Sequence, residues 1–264
     1  MSTRENATIK SAGMLAEGIY EIWFETNEIA KQAIPGQFIS VYSNDGSRLL
    51  PRPISICEIE GNNLRIVYRV AGKGTEEFSK CKAGDKLDIQ GPLGNGYDID
   101  KIFSDIEKKQ GKVNKAILFG GGIGVPPMLE LGKKLNCEKE IVLGYRNSDI
   151  FLKEQFEKIG HLTIATEDGS VGTKGNVLDA VREGNITGDV IFACGPMPML
   201  RAIKGFATEN NIPCYISLEE KMACGIGACL ACVCKTTQKD AHSQVNNARV
   251  CKEGPVFDAK EVEI

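Results

Sequence analysis

The chain has 264 residues, of which 42% are hydrophobic and 25% charged, and its formal net charge is −3. This length supplies enough apolar surface for two domains with separate cores, and the slightly negative charge argues against nucleic acid or an anionic membrane as a partner. The first twenty residues lack the apolar core of a signal peptide, and no run of about 18 apolar residues occurs. We therefore expect a soluble, cytoplasmic protein.

Short β-rich segments separated by turn residues follow one another from residue 6 to about residue 100. They are GIYEIWFET, GQFISVYS, RPISICEIE, NLRIVYRV and DKLDIQGPLG. Strands of this length with turn signals between them predict an antiparallel β-barrel, which we assign to residues 1–102.

The pattern changes after KKQGKVNK, a polar stretch that resembles a linker. The apolar segments AILFGGG, EIVLGYR, LTIATED, VIFACG and CYISLEE are separated by stretches of helix length. This alternation predicts a parallel sheet with helices on both faces, over residues 112–218. Residues 219–264 are rich in Cys and Gly and form a small appendage. The predicted fold class is α/β plus β.

Two segments of the predicted barrel carry residues suited to a flavin diphosphate. In LLPRPISI, an Arg at a barrel rim can pair with a diphosphate, and a Ser hydroxyl can hydrogen-bond a heterocycle nitrogen. In VYRVAGKGTEEF, glycines open a predicted helix whose free N–H groups would cradle phosphate. Each segment alone is equally explained as a Pro-bounded strand or a Gly turn with a Thr cap. The candidate residues are Arg52, Ser55, Tyr68, Arg69, Gly72, Gly74 and Thr75.

Two turns of the predicted parallel sheet are suited to a nucleotide. AILFGGGIGVPPM departs from the G-x-G-x-x-G fingerprint but still makes a close-approach turn after the first strand. VIFACGPMPML ends a later strand at the same edge and is otherwise an ordinary strand-to-helix turn. Glu167 and Asp168 follow another strand, where they face either a ribose or solvent. The candidate residues are Gly120, Gly121, Gly122, Gly124, Pro126, Cys194, Gly195 and Pro196.

Four cysteines of the appendage have the spacing of a plant-type [2Fe–2S] site. Cys224, Cys229 and Cys232 follow a C-x4-C-x2-C pattern, and eighteen residues separate Cys232 from Cys251. Zinc is the alternative, but a zinc ribbon usually has two C-x2-C pairs and only one is present here. Cys234 is left over. His161 and His242, the only histidines, lie outside the cysteine pattern and are expected at the surface or in loops.

In this order the motifs resemble the ferredoxin reductase family over nearly the whole chain. The resemblance implies that Arg52, Pro53, Ile54 and Ser55 match the flavin motif of a six-stranded barrel, with Ile54 in place of an aromatic residue. It also implies that Tyr68, Arg69, Val70, Gly74 and Thr75 hold the rest of FAD, and that Gly120 to Gly124, Pro126 and Cys194 to Met197 line the nicotinamide site.

The appendage is similar to that of the electron-transfer subunits of NAD-linked, two-subunit dihydroorotate dehydrogenases. That resemblance implies that Cys224, Cys229, Cys232 and Cys251 ligate a [2Fe–2S] cluster. In the related small subunits of sulfide dehydrogenase and ferredoxin:NADP oxidoreductase, an Asp stands at the first ligand position, so Cys224 favours the dihydroorotate assignment. A reductase serving ferredoxin or polysulfide remains the alternative, and a zinc-holding nucleotide-binding module is the third.

The resemblance further implies an electron path and a partner. Electrons would pass from dihydroorotate to the FMN of a catalytic subunit, then through [2Fe–2S] and FAD to NAD⁺, within a heterotetramer of two plus two subunits. FAD is needed because a nicotinamide exchanges two electrons and an iron–sulfur cluster exchanges one. No general acid or base is expected of this chain. Arg146 faces either a 2′-phosphate or solvent, so the residues alone leave NAD and NADP open, and the resemblance favours NAD.

Overall fold

We describe the protein from a computed structural model, which describes residues 2–239 and 244–264. His242 lies outside the described residues. His161 is exposed at the surface, as expected, where its Nδ1 lies 2.7 Å from Glu140 Oε2. No helix of the described ranges is both long and apolar enough to cross a membrane.

Six antiparallel strands close into a barrel, in the spatial order β1-β2-β5-β4-β3-β6. The strands are β1 (Thr3–Ala16), β2 (Ile19–Glu25), β3 (Phe38–Val41), β4 (Arg52–Glu60), β5 (Asn63–Arg69) and β6 (Lys86–Leu93). Two short helices lie in the connections, α1 (Ile29–Gln32) and α2 (Lys73–Phe78). Alternate residues point inward, so that Ile22, Phe24, Ile39, Ile66 and Ile89 fill a continuous apolar core. The predicted barrel is confirmed.

A seven-stranded sheet forms the second layer, in the order β10-β9-β8-β7-β11-β12-β15. Its strands are β7 (Lys115–Gly121), β8 (Glu138–Tyr145), β9 (His161–Thr166), β10 (Thr173–Lys174), β11 (Val190–Cys194), β12 (Cys214–Ser217) and β15 (Val256–Asp258). The helices are α3 (Ile99–Gln110), α4 (Pro127–Lys134), α5 (Lys153–Glu157), α6 (Val177–Gly184) and α7 (Met197–Glu209). All neighbouring pairs are parallel except β12–β15. The predicted parallel sheet is confirmed.

Only half of the stretch KKQGKVNK serves as a linker. Its first three residues form the last turn of α3, where Lys108 and Lys109 lie near the carbonyl end of the helix dipole. The Asp98 carboxylate caps the other end by accepting from the Lys101 N–H at 3.2 Å. Ile102 and Ile106 pack against the parallel sheet, so α3 crosses the predicted boundary at residue 102. Only four residues, 111–114, separate α3 from β7.

The appendage contacts both larger units. Its strands β13 (Val233–Lys235) and β14 (Asn247–Arg249) pair with each other, while β15 adds an antiparallel edge to the large sheet. Pro255 forms a bridge with Asn95 in the segment after β6. Cys232 and Cys251 belong to the same apolar cluster as residues of the sheet. The cysteine-rich segment is therefore held between the barrel and the sheet.

A buried polar network joins β4 of the barrel to α4 of the second layer. Glu130 on α4 is only 1% exposed, and its carboxylate accepts the Ile59 N–H at 3.0 Å. Beside it, buried Glu58 pairs with Arg65 at 2.9 Å and accepts a hydrogen bond from Lys133. Burial raises the pKa of Glu130 above its ordinary value of 4.5. The hydrogen bond from the Ile59 N–H and the charges of Lys133 and Lys134 lower it, but by less than burial raises it. Because β4 starts with the flavin motif and α4 follows the glycine turn, this network fixes the two relative to each other.

We expect Glu130→Ala to destabilise the protein by about 1–3 kcal/mol, because it leaves the partly buried Ile59 N–H without its acceptor. Glu130→Gln is the control, since its amide oxygen can still accept that bond. The Glu130 pKa is raised in the folded state, so its stabilising contribution is complete below pH 4.5 and is lost as the pH rises through the folded pKa. The stability of the Glu130→Gln variant relative to that of the wild type should therefore increase as the pH rises. Thermal unfolding of the three proteins between pH 4 and 8 measures both effects, and equal stability of Ala and Gln would contradict the assignment.

Candidate functional site

The two halves of the flavin motif meet at the rim of the barrel. Arg52 begins β4, and Gly74 lies in the first turn of α2; a Cβ built on Gly74 would lie 2.2 Å from Arg52 Nε. Glycine is therefore required for the guanidinium to lie against the helix. Arg52 donates to the Leu50 carbonyl and, within the described ranges, forms no ion pair. It remains a cation available to an anionic ligand.

Other residues of the motif lie on different faces of the barrel wall. Ser55 is half-buried on the outer face, opposite Phe38 of β3. Ile54 and Tyr68 point into the barrel core, where the Tyr68 ring stacks on Tyr20 and its hydroxyl finds no hydrogen-bond partner among the described residues. Pro53 pairs with Ser40 across the β3–β4 ladder.

Thr75 closes the start of α2 instead of leaving it open. Its Oγ1 accepts the Ala71 N–H at 2.9 Å and the Gly72 N–H at 3.2 Å, and its hydroxyl donates to the Gly72 carbonyl at 2.9 Å. The hydroxyl that the sequence suggested for a phosphate is thus engaged as a helix cap.

The two turns of the predicted nicotinamide site are adjacent. β7 and β11 are neighbours, with Cys194 opposite Gly120, so both turns leave the same sheet edge. Gly195 approaches Gly121 closely, because a Cβ on Gly195 would lie 3.1 Å from the Gly121 Cα. Pro126 is buried at the start of α4. This edge carries the carboxyl ends of parallel strands, where open α/β sheets bind ligands.

A cleft of roughly 790 Å³ lies between the barrel and this sheet edge. Its barrel side includes Arg69 and Val70, and its other side includes the predicted turn residues Gly121, Gly122, Gly195 and Pro196. A Cβ on Gly122 would lie 4.0 Å from Arg69 Nη2, so the two motifs nearly touch. The predicted residues that do not line the cleft are Gly120, Gly124, Pro126, Cys194 and Met197. The cleft is large enough for a nucleotide-sized ligand.

Glu219 lines the cleft and carries no sequence motif. Its side chain opens to the cleft, but the neighbouring protein atoms reduce its solvation and so raise its pKa. The positive charge of Arg69 acts in the other direction and lowers the pKa. The buried Cys194 lies nearby: burial and the Glu219 charge raise the Cys194 pKa, whereas Ser217 lowers it. Arg146 and Glu167 line the far part of the cleft, and Asp168 instead accepts bonds from Ser170.

The four cysteines are free thiols that come together as two pairs. Cys224 contacts Cys229, and its Sγ accepts the Ala228 and Cys229 N–H groups at 3.3 and 3.4 Å. Cys251 contacts Cys232: the Cys251 N–H donates to the Cys232 Sγ at 3.4 Å, and the Cys251 Sγ accepts the Gly227 N–H at 3.1 Å. Three of the four sulfurs, those of Cys224, Cys232 and Cys251, thus already accept N–H groups, as iron–sulfur loops require.

The two pairs differ in their electrostatics. Burial alone would raise the pKa of Cys224, but the N–H donors around its sulfur outweigh it and lower the pKa to about 6. Burial and the neighbouring Cys232 raise the pKa of Cys251 to about 12, against the Gly227 N–H. A thiolate is therefore favoured at Cys224 before any metal binds, and a metal would displace the proton of Cys251.

A family model described as the iron–sulfur cluster binding domain of dihydroorotate dehydrogenase B matches residues 219–263. The chain is 42% identical to the dihydroorotate dehydrogenase B (NAD(+)) electron transfer subunit of Fusobacterium nucleatum, over 98% of each chain. It is 41% identical to the protein of the same name from Caldanaerobacter subterraneus, over 99% of each. The chain belongs to the family of dihydroorotate dehydrogenase B (NAD(+)) electron transfer subunits.

A solved structure of an NADH-dependent reduced ferredoxin-NADP oxidoreductase, described for flavin-based electron bifurcation, has the same architecture as this family member. It superimposes with a TM-score of 0.84 at 28% identity, over 98% of this chain and 90% of that one. The resemblance to the ferredoxin reductase fold thus extends through the appendage as well as the two larger units.

The donor set of this dihydroorotate dehydrogenase B family member fits a binuclear cluster better than one metal ion. Within residues 2–239 and 244–264, no three His, Cys, Asp or Glu side chains converge on a single-ion site. A mononuclear zinc site needs four ligands around one centre, whereas two cysteine pairs provide one pair for each iron of a [2Fe–2S] cluster. Gly225 and Gly227, with φ of +67° and +82°, give the loop its turns.

Gly124→Ala tests the nucleotide turn of this family member. The new Cβ would lie 2.5 Å from the Cys194 carbonyl carbon and oxygen, which are backbone atoms that cannot rotate away. We expect the two turns to separate, with a loss of about 1–3 kcal/mol in stability and a raised KM for NADH at unchanged FAD content. Gly205→Ala in α7 is the control, because its Cβ meets nothing within 4 Å. A normal KM in the Gly124 variant would contradict the placement.

Proposed function

We propose that the chain is the electron transfer subunit of a dihydroorotate dehydrogenase B, which binds FAD and a [2Fe–2S] cluster and reduces NAD⁺. The observation that carries the proposal is the shared cleft: Arg69 of the flavin motif lies across from Gly122 of the nicotinamide turn. A flavin exchanges two electrons with a nicotinamide and single electrons with an iron–sulfur cluster, so these groups supply the redox chemistry.

The barrel residues would bind and orient FAD. Arg52 lies against Gly74 and makes no ion pair with the described residues, and it is suited to the diphosphate because a guanidinium binds phosphate oxygens through two parallel N–H bonds. Ser55 on the outer face would donate its hydroxyl to a flavin ring nitrogen. Pro53, Ile54, Tyr68, Arg69, Val70 and Thr75 complete the proposed site, of which Ile54, Tyr68 and Thr75 act by shaping the barrel rim and the helix start.

The sheet edge would place the nicotinamide against the flavin. Gly121, Gly122 and Gly195 leave room for the ring to approach the backbone, and Gly120, Gly124, Pro126, Cys194, Pro196 and Met197 hold the two turns in place. Glu219 adds a carboxylate with a raised pKa at the same end of the cleft, near Arg69. We favour NAD over NADP, because Asp149 and Glu167 line the cleft with Arg146 and oppose an additional phosphate.

The cysteine loop would hold the cluster at the surface that meets a partner. Cys229 is exposed, and next to it Ile226 and Leu230 are 50% and 62% exposed. Exposed apolar side chains around a redox centre are suited to a docking protein. The partner proposed is an FMN-containing catalytic subunit in a heterotetramer of two plus two.

Cys224 distinguishes this proposal from a ferredoxin or sulfide oxidoreductase subunit. It lies at the first ligand position, accepts two N–H groups and has a lowered pKa. An Asp there, as in those relatives by resemblance, would replace a sulfur ligand with oxygen. The proposed division of the chain is a flavin unit (1–102), a nucleotide unit (112–218) and a cluster unit (219–264), with β15 of the last unit pairing into the sheet.

The proposal is tested by coexpressing the chain with the proteins encoded beside it and measuring NAD⁺ reduction. Purified alone, the chain should oxidise NADH with artificial acceptors and show no turnover of dihydroorotate. With its copurifying partner it should reduce NAD⁺ when dihydroorotate is added. A complex that reduces NAD⁺ only with reduced ferredoxin or sulfide would replace the proposal with its alternative.

A further inference from the structure

Ser40 is a buried hydroxyl with no partner. It lies in β3, is 1% exposed, and its Oγ is one of three buried side-chain polar atoms within the described ranges that lack a hydrogen bond. A buried hydroxyl without a partner is costly, and native proteins rarely leave one. A group outside the polypeptide is the simplest way to satisfy it.

The outer face of β3 is covered by the cysteine loop. Ile39 and Val41 point into the barrel core, so the alternate residues Phe38 and Ser40 point outward. Phe38 packs in the same apolar cluster as Cys232 and Cys251. Ser40 therefore shares its face with residues that contact the loop rather than with the barrel interior.

Gly225 brings the loop against the Ser40 hydroxyl. A Cβ built on Gly225 would lie 2.9 Å from Ser40 Oγ and 3.6 Å from Leu93 Cδ1, and the residue has a φ of +67°. Gly225 follows Cys224 directly. Within the barrel wall, Ser40 of β3 lies opposite Pro53 of β4, which belongs to the flavin motif. The hydroxyl thus lies between the loop of the proposed cluster and the strand of the proposed flavin site.

We propose that the Ser40 hydroxyl donates a hydrogen bond to a sulfur at the Cys224 end of the [2Fe–2S] cluster and raises the reduction potential of that cluster. This inference rests on the proposed function. Thiolate and sulfide sulfurs accept hydrogen bonds, and the reduced cluster carries one more negative charge than the oxidised one. A donor therefore stabilises the reduced form more, which is how hydrogen bonds to sulfur set cluster potentials.

The test is Ser40→Ala in the coexpressed complex, with the cluster potential measured by an EPR-monitored redox titration. We expect the equilibrium constant for one-electron reduction to fall by about tenfold, which corresponds to a shift of about 59 mV to lower potential. Iron, sulfide and FAD contents and the flavin potential should not change. Ser11→Ala, at an exposed position of β1, is the control, and Ser40→Thr should restore the wild-type potential.

Ser40→Gly removes the same hydroxyl without leaving a side chain against Gly225, and it gives a second measurement if the Ala variant does not assemble its cluster. Equal shifts in the two variants support the proposal. An unchanged cluster potential overturns it, and so does a shift confined to the flavin, because the hydroxyl would then serve FAD. Absence of any cluster from the wild-type protein would contradict the proposed function itself.

Discussion

Cys229→Ser should remove the iron–sulfur cluster while leaving the flavin in place. Cys229 is the exposed member of its pair, and its Sγ contacts Cys224. Serine retains the N–H that donates to the Cys224 sulfur but replaces the soft thiolate with a hydroxyl that iron binds poorly. We expect loss of the cluster's visible bands and of its EPR signal after reduction. FAD content and NADH oxidation by dyes should remain, since their proposed residues lie elsewhere.

Cys234→Ser is the matched control for that experiment. Cys234 lies two residues after Cys232, in β13, and is partly buried against the apolar core rather than paired with another cysteine. The control should keep wild-type iron and sulfide contents. A Cys229→Ser protein with a full cluster would refute the ligand assignment, and loss of the cluster in Cys234→Ser would point to a different ligand set.

Arg52→Ala should weaken FAD binding by about 10- to 150-fold. A hydrogen bond to a charged group contributes a net of about 1.5–3 kcal/mol, and this guanidinium makes no competing ion pair within the described ranges. The flavin content after gel filtration and the dissociation constant from fluorescence titration measure the effect. Cluster content should not change, because Gly225 of the cysteine loop lies against Ser40, Phe38 and Leu93 rather than against Arg52.

Two variants control for the loss of the positive charge and for the planar geometry of the Arg52 guanidinium group. Arg182→Ala removes an exposed cation on α6 that pairs with Asp179, and it should leave FAD binding unchanged. Arg52→Lys keeps the charge but loses the planar fork, so its affinity should be intermediate. Wild-type flavin content in Arg52→Ala would show that the diphosphate lies elsewhere.

The sequence predicted the elements whose patterns are strong and local. The central strands β7 and β11 are nearly continuous apolar runs that are buried along almost their whole length, as expected for strands covered on both faces. The sequence of β1, TRENATIKSAGMLA, gives only a weak strand signal because half of its residues are polar, and the strand is held by pairing with both β2 and β6. α3 was missed because its last turn is Lys- and Gln-rich, although its Asp98 cap and the Ile102 and Ile106 spacing mark a helix.

The site depends on contacts that no local pattern encodes. The cysteine spacing predicted four ligands, but their pairing as Cys224 with Cys229 and Cys232 with Cys251 required the folded loop. Glu219 enters the cleft only because the chain turns there after β12, and a single acidic residue gives no signal in the sequence. Likewise, the closeness of Arg52 to Gly74 is created by the barrel, since these residues lie on separate elements.

The central claim is that one chain joins a nicotinamide site to a flavin and a cluster, and an anaerobic visible spectrum tests it most directly. The protein is coexpressed with the products of its neighbouring genes, and its spectrum is recorded before and after addition of NADH. We expect flavin and iron–sulfur bands that both bleach with NADH. A colourless protein with stoichiometric zinc would contradict the account, because the four cysteines would then hold a redox-inert metal on a nucleotide-binding scaffold.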